Sequence, residues 1–172
     1  MSKTGRVRGL RVTVLYLALG AIALAQSDQD GDLKKEKTLS VHASGPFDVK
    51  ITPQTLPDQE TAAGLGRMSL DKQYHGDLEA TAKGAMLTAD TAMKESGVYV
   101  AVERVTGTLQ GRSGTFAMHH TGVMTRDTPA LKITVVPDSG TGQLVGLAGT
   151  MNIRIDNGKH FYEFDYTLPD SK

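Results

Sequence analysis

The sequence contains no cysteine and no tryptophan. Without cysteine the protein has no disulfide, no thiol nucleophile and no cysteine-ligated metal, so its stability depends on packing and hydrogen bonds. Without tryptophan it lacks the G-x-W signature of lipocalins. It also lacks the H-x-H pair that opens the usual metal site of cupins. We therefore expect neither a metal ion nor a cofactor.

Motifs of other common enzyme classes are missing as well. There is no G-x-S-x-G nucleophile elbow, and the similar stretch over residues 111–114 is predicted to be a hairpin turn. No glycine-rich loop of the P-loop or dinucleotide-binding kind is present. Basic residues do not alternate with aromatic ones in a stripe, which argues against nucleic acid as a partner.

The N-terminus has the pattern of an export signal. Four basic residues within 3–11 precede an almost entirely apolar run over 12–24, and Ala23-Leu24-Ala25 matches a cleavage site. We predict a signal peptide over residues 1–25 and a secreted or periplasmic location. Because the apolar run is short for a bilayer span, we expect no stable membrane anchor after cleavage. Cleavage would leave 147 residues with 15 basic and 19 acidic side chains, and this net charge of −4 also disfavours nucleic acid and anionic lipid.

Residues 26–37 are polar and charged, which predicts a solvated linker ahead of a single β-barrel domain over 38–172. Within that domain, segments of alternating apolar and polar residues are separated by short turn signals. Residues 52–66 are predicted to form a loop, and residues 90–97 a turn or a single helical turn. Asn157-Gly158 is the preferred pair for a type I′ hairpin turn. The predicted strands are residues 38–41, 47–51, 73–87 (bent or bulged at its glycines), 98–109, 115–124, 131–136, 144–155 and 160–168.

The connections between these strands are too short for crossover helices, so neighbouring strands are expected to be antiparallel. Closing the sheet removes its two unpaired edges, which favours an all-β, up-and-down closed barrel of about eight strands. An open sandwich is the alternative, but it normally requires longer Greek-key connections.

Strand alternation assigns candidate site residues to faces. Tyr99 and Glu103 share one face of the strand over 98–109, and three valines at positions 98, 100 and 102 share the other. The valine face is expected to be buried. Either it lines the barrel and Glu103 is a surface carboxylate, or the Tyr99 face is inside and the valines pack against something outside, such as a second subunit. The sequence leaves both alternatives open.

Histidines supply further candidates. His119 and His120 are adjacent and point to opposite faces, so they cannot share one metal ion, and only His120 shares the apolar face of Phe116. His160 and Tyr162 share a face in the last strand. A row of aromatic and imidazole side chains on one strand face suits the wall of an apolar cavity with a few polar groups. It equally suits an ordinary hydrophobic core.

Six blocks of sequence, in the same order, resemble a bacterial domain-of-unknown-function family whose barrel is similar to that of allene oxide cyclase. Glu103, His120 and the turn over 139–142 fit the family pattern, whereas His119 stands where the family usually has glutamine. The resemblance implies a closed antiparallel barrel and no established activity. The blocks are residues 66–72, 76–81, 99–107, 111–116, 136–142 and 160–166.

Three functions are compatible with these observations. The favoured one is a secreted binding module that holds a small apolar molecule, with Tyr99, Glu103, His120, His160 and Tyr162 as polar contacts. The second is a cofactor-independent isomerase or cyclase in which Glu103 or His120 moves a proton; allene oxide cyclase is such an isomerase, but fold alone transfers no reaction. The third is a structural barrel without a cavity. Outward valines would also favour a homo-oligomer.

Overall fold

The computed structural model describes residues 40–126 and 129–169. The predicted signal peptide and linker lie outside these residues. The described chain forms a closed barrel in which every strand is antiparallel to its neighbours in sequence and the last strand pairs with the first. This confirms the predicted all-β, up-and-down barrel. Its elements are β1 (Val41–Pro53), α1 (Asp58–Ala62), β2 (Leu65–Tyr74), β3 (Leu78–Asp90), β4 (Ser96–Leu109), β5 (Arg112–Thr125), β6 (Ala130–Val135), a 3-10 turn (Gly142–Leu144), β7 (Ala148–Asp156) and β8 (Lys159–Thr167).

Several predicted boundaries are wrong. The two short strands predicted before residue 52 are one strand, β1, whose Phe47 pairs with Tyr74 on one side and His160 on the other. The predicted loop over 52–66 includes α1 and the start of β2. The strand predicted from residue 144 begins only at Ala148, because residues 142–144 form the 3-10 turn.

The largest error concerns residues 73–87, predicted as a single bent strand. Gly76 has a φ of +93° and ends that strand, so β2 and β3 form a hairpin. A glycine adopts this backbone conformation without a steric penalty. Glu79 accepts a hydrogen bond of 2.7 Å from the Gly76 amide and holds the turn.

The turns at Asn157-Gly158 and Gln110-Gly111 both use positive φ at their two central residues, as a type I′ turn requires. The former confirms the prediction. The latter places the β4–β5 turn one residue earlier than residues 111–114, because Arg112 already pairs with Leu109.

One end of the barrel is closed by side chains. Leu78 and Leu109 flank the β2–β3 and β4–β5 turns, and Leu144 and Leu147 come from the β6–β7 connection; all four are fully buried. Large aromatic side chains fill the lumen behind them: Phe47, Tyr74, Phe116, Tyr162, Phe164 and Tyr166.

The opposite end, which we call the open end, is lined by apolar side chains that become more exposed along each strand. On β1 the inward positions go from Phe47, 4% exposed, to Ile51, 51% exposed; on β7 they go from Met151, 2%, to Ile155, 64%. The inner face is therefore apolar and increasingly exposed towards this end, and we call this exposed part the mouth. His160 of β8 faces inward at the mouth, paired with Phe47 and Ile155. The other inward-facing residues there are Val49, Ile51, Met68, Met86, Tyr99, Met124, Leu131, Ile153 and Ile155.

Candidate functional site

The alternation of β4 places Glu103 inside the barrel. Ala101, Glu103 and Val105 are buried, and Glu103 is only 1% exposed. The valine face is outside, where Val98, Val100 and Val102 are 37%, 49% and 58% exposed. The Tyr99 face is therefore the inner one, as in the second alternative. The expectation that the valine face is buried is wrong for the described chain, and its packing against a second subunit stays a prediction.

Three side chains converge on one oxygen of the Glu103 carboxylate. Glu103 Oε1 accepts hydrogen bonds from Lys72 Nζ at 3.0 Å, from the Tyr74 hydroxyl at 3.1 Å and from His120 Nε2 at 3.1 Å. Lys72 Nζ also donates to the Tyr74 hydroxyl oxygen at 3.2 Å. All four residues are buried. We call Lys72, Tyr74, Glu103 and His120 the carboxylate cluster.

Small residues between the strands allow the cluster to form. Lys72 and Tyr74 are inward positions of β2, and Glu103 lies on β4, on the far side of β3. Between them β3 presents Ala82, opposite Lys72, and Gly84, opposite Glu103. With little side chain on this stretch of β3, the Lys72 ammonium reaches across to the carboxylate.

The side chains of the cluster shift the pKa values of Glu103 and Tyr74. Burial alone would raise the pKa of Glu103, but the hydrogen bond from His120 and the positive charge of Lys72 together hold it below its ordinary value. Glu103 is therefore ionised at neutral pH. Burial and the neighbouring Glu103 charge raise the pKa of Tyr74 well above its ordinary value, so that its hydroxyl stays protonated and donates.

The second carboxylate oxygen of Glu103 is the exception in this network. Oε2 is buried and has no hydrogen-bond partner among the residues described. Lys72 Nζ lies 3.0 Å from it, in an ion pair that lacks hydrogen-bond geometry. An ionised oxygen without donors is costly to bury, so this atom is an acceptor that a bound molecule could satisfy.

Tyr99 lies between the cluster and the open end, two inward positions from Glu103 along β4. Its ring packs on Gly122, where an added Cβ would overlap Tyr99 Cε1. Burial, followed by the charge of Glu103, raises the pKa of the Tyr99 hydroxyl. Tyr99 therefore lines the inner face between the open end and Glu103.

The other two predicted site residues have different surroundings. The Tyr162 hydroxyl accepts from the Leu78 amide at 2.8 Å and donates to the His75 carbonyl at 3.1 Å, so it ties β8 to the β2–β3 turn at the closed end. His160 is partly exposed and packs on Phe47, with ring centroids 5.2 Å apart. The structure thus brings together Tyr99, Glu103 and His120. The Tyr162 ring packs on Tyr74, with centroids 5.5 Å apart, but its hydroxyl lies at the closed end, and His160 lies at the mouth beside Phe47.

Sequence reasoning missed Lys72 and Tyr74. Both belong to the alternating pattern that begins with Leu70 in β2, and a lysine at a predicted inward position is the signal that could have marked the site. The predicted strand over residues 73–87 hides this signal, because it starts after Lys72 and runs through Gly76.

The outer wall carries a groove of about 450 Å³, whose lining includes Leu56, Leu87, Val100 and Val102. The homo-oligomer expected from an outward valine face stays a prediction. Over the described ranges 40–126 and 129–169, no group of three or more His, Asp or Glu side chains is arranged to hold a metal ion. The same residues include no helix of the length and apolarity needed to cross a membrane.

A family model and a solved crystal structure match this chain. Residues 43–166 match a family model described as a protein of unknown function, DUF3224. A crystal structure of a protein of unknown function from this family in Shewanella oneidensis is 48% identical, with a TM-score of 0.71. That similarity covers 76% of this chain and 99% of the other. None of the curated proteins matches this chain.

Proposed function

Because the chain belongs to the DUF3224 family of proteins of unknown function, we propose its function from the site itself: the open end of the barrel binds a small, mostly apolar molecule that carries one polar group. The family resemblance expected from the sequence is thereby confirmed, whereas the likeness to allene oxide cyclase stays a prediction. The polar group would meet the carboxylate cluster, and the apolar remainder would lie in the mouth.

The observation that carries this proposal is the buried Glu103 Oε2, which receives no hydrogen bond from the residues described, in a barrel whose open end is apolar. Ligand sites are typically apolar concavities with a few placed polar groups. Met68 and Met86 face each other on β2 and β3 in the wall of the mouth. Methionine side chains are flexible and polarizable, so they adapt to apolar molecules of different shape.

The electrostatics of the cluster favour binding over catalysis. A general base works best when its pKa is near the operating pH. The pKa of Glu103 is instead held below its ordinary value, so its carboxylate is a weak base. An isomerase or cyclase is the second candidate function. It is supported by the presence of a carboxylate, an imidazole, a phenol and an ammonium group in one buried cluster.

We also propose that the protein acts outside the cytoplasm, as a secreted or periplasmic protein. The support is the basic segment, apolar run and small-residue exit within residues 1–25. Edman sequencing of the protein recovered from the expressing cells tests this. A mature chain that begins at Gln26 is the expected result, and an intact chain recovered from the cytoplasm would contradict it.

Native mass spectrometry of the purified protein after incubation with a lipid extract tests the binding function. We expect a reproducible small-molecule adduct with the wild type, and its loss in Glu103→Gln. Glu95→Gln, which changes an exposed glutamate in the β3–β4 turn, is the matched control and should keep the adduct. No adduct, together with a melting temperature that the extract leaves unchanged, would favour a purely structural barrel. Chemical conversion of the released molecule would favour the isomerase.

A further inference from the structure

We propose that the polar group of the ligand is a neutral hydrogen-bond donor, such as an alcohol or phenol hydroxyl, and not a carboxylate. This inference rests on the proposed function and narrows it to a ligand class. It follows from which atoms of the carboxylate cluster are already paired and which one is left.

The donors of the cluster are directed at one acceptor. The Tyr74 hydroxyl and His120 Nε2 each donate to Glu103 Oε1, and Lys72 Nζ donates both to that oxygen and to the Tyr74 oxygen. Within the cluster, Glu103 Oε2 is the buried atom that receives no hydrogen bond from the residues described, and as an ionised oxygen it can only accept. A ligand hydroxyl would supply the donor that this atom lacks.

The charge of the site points the same way. The two side chains that donate a hydrogen bond from a nitrogen to Glu103, the Lys72 ammonium and the His120 imidazole, are already directed at its carboxylate. A ligand carboxylate would lie against an ionised glutamate in a buried site, where repulsion between like charges is weakly screened. To gain a cation it would have to separate Lys72 from Glu103, which leaves the glutamate buried without that partner.

The apolar part of the ligand would occupy the mouth. Val49, Met68, Met86 and Ile153 are inward-facing and only partly buried there, and none of them carries a charge. An aliphatic chain or a small ring suits these walls because burial of apolar surface is favourable whatever its detailed shape. The ligand class is therefore an amphiphile with a hydroxyl head and an uncharged hydrocarbon body.

Three probes with similar apolar bodies test the inference: 1-octanol, its methyl ether and octanoate. Their dissociation constants for the wild-type protein at neutral pH are measured by ligand-observed NMR. We expect 1-octanol to bind about tenfold or more tightly than either of the others, because a hydrogen bond to a charged group contributes at least that much affinity. In Glu103→Gln, checked for folding by its circular dichroism melt, this preference for the alcohol should shrink.

The outcomes separate the inference from the proposed function. Binding of octanoate or the ether as tight as that of 1-octanol would overturn the hydroxyl assignment and leave the binding function standing. If none of the three probes binds, the proposed function fails and the ligand class fails with it. The wild-type measurements decide between these results even if Glu103→Gln does not fold.

Discussion

Gly84 lies directly opposite Glu103 on the inner wall of the barrel, and a Cβ added at Gly84 would be 2.8 Å from the Glu103 Cβ and 2.6 Å from the Val102 carbonyl oxygen. The glycine therefore leaves the space that the buried carboxylate occupies. Residues whose side chains carry no function can thus be essential to the geometry of the site.

The first prediction follows from this contact. Gly84→Ala should destabilise the barrel by about 1–3 kcal/mol, the usual cost of overpacking a core. It should also weaken ligand binding, because Glu103 has to move away from Lys72 and His120. Urea denaturation and the probe titrations measure the two effects. An alanine variant with unchanged stability and unchanged affinity would contradict this prediction, because it would show that β3 accommodates the added methyl group without displacing Glu103.

The second prediction concerns how the contribution of Glu103 to the free energy of unfolding changes with pH. Because the folded-state pKa of Glu103 is lowered, its stabilising contribution is present above the pKa of the unfolded chain and is lost as the pH falls through the folded value. The difference in unfolding free energy between wild type and Glu103→Gln should therefore shrink as the pH falls below about 4.3, the pKa of an unperturbed glutamate. Denaturation series at several pH values measure it. A difference that stays constant or grows on acidification would refute the assignment.

The third prediction is a double-mutant cycle on Lys72 and Glu103, which form a buried ion pair at 3.0 Å. Lys72→Met alone should cost about 3–5 kcal/mol of stability, because it removes a cation from a buried carboxylate. The pair Lys72→Met with Glu103→Leu should cost much less than the sum of the single variants. Additive losses in urea denaturation would mean that the two side chains do not stabilise each other.

The fourth prediction concerns the seam that closes the barrel. His42 on β1 contacts two carboxylates on β8, with Nδ1 2.8 Å from Asp165 and Nε2 2.8 Å from Glu163. The hydrogen bonds to Asp165 and then to Glu163 raise the pKa of His42 above its ordinary value. Its contribution to stability is thus complete below the pKa of the unfolded chain and lost as the pH rises through the folded value.

An NMR titration of the imidazole C–H protons of His42 measures this directly. The midpoint should be above 6.5, and both Asp165→Asn and Glu163→Gln should lower it, with the larger effect from Asp165. A midpoint at or below 6.5 in the wild type would mean that the two hydrogen bonds do not hold a proton on the ring.

Local signals explain what the sequence predicted well. Asn157-Gly158 adopts its turn because both residues tolerate positive φ, whatever lies around them. The turn at Gly76 is not predicted, because the alternating pattern runs on through residues 73–87, while the turn depends on a hydrogen bond from the Gly76 amide to Glu79. One glycine is compatible with both a bulge and a turn.

The orientation of β4 could not be decided from its own residues. The valine stripe is more apolar than the stripe that carries Tyr99 and Glu103, so local hydrophobicity favours the face that is in fact exposed. Glu103 is buried because Lys72, 31 residues earlier in the chain, supplies a cation, with help from His120 on β5. Such pairing between distant residues appears only once the strands are assembled.

Binding at the open end is tested most directly by a methyl NMR titration with 1-octanol on protein labelled at methionine and leucine methyl groups. We expect saturable shifts of Met68 and Met86, which line the mouth, and unchanged signals from Leu78 and Leu109, which lie at the closed end. Absence of shifts at the two methionines, or shifts of similar size at both ends of the barrel, would contradict it.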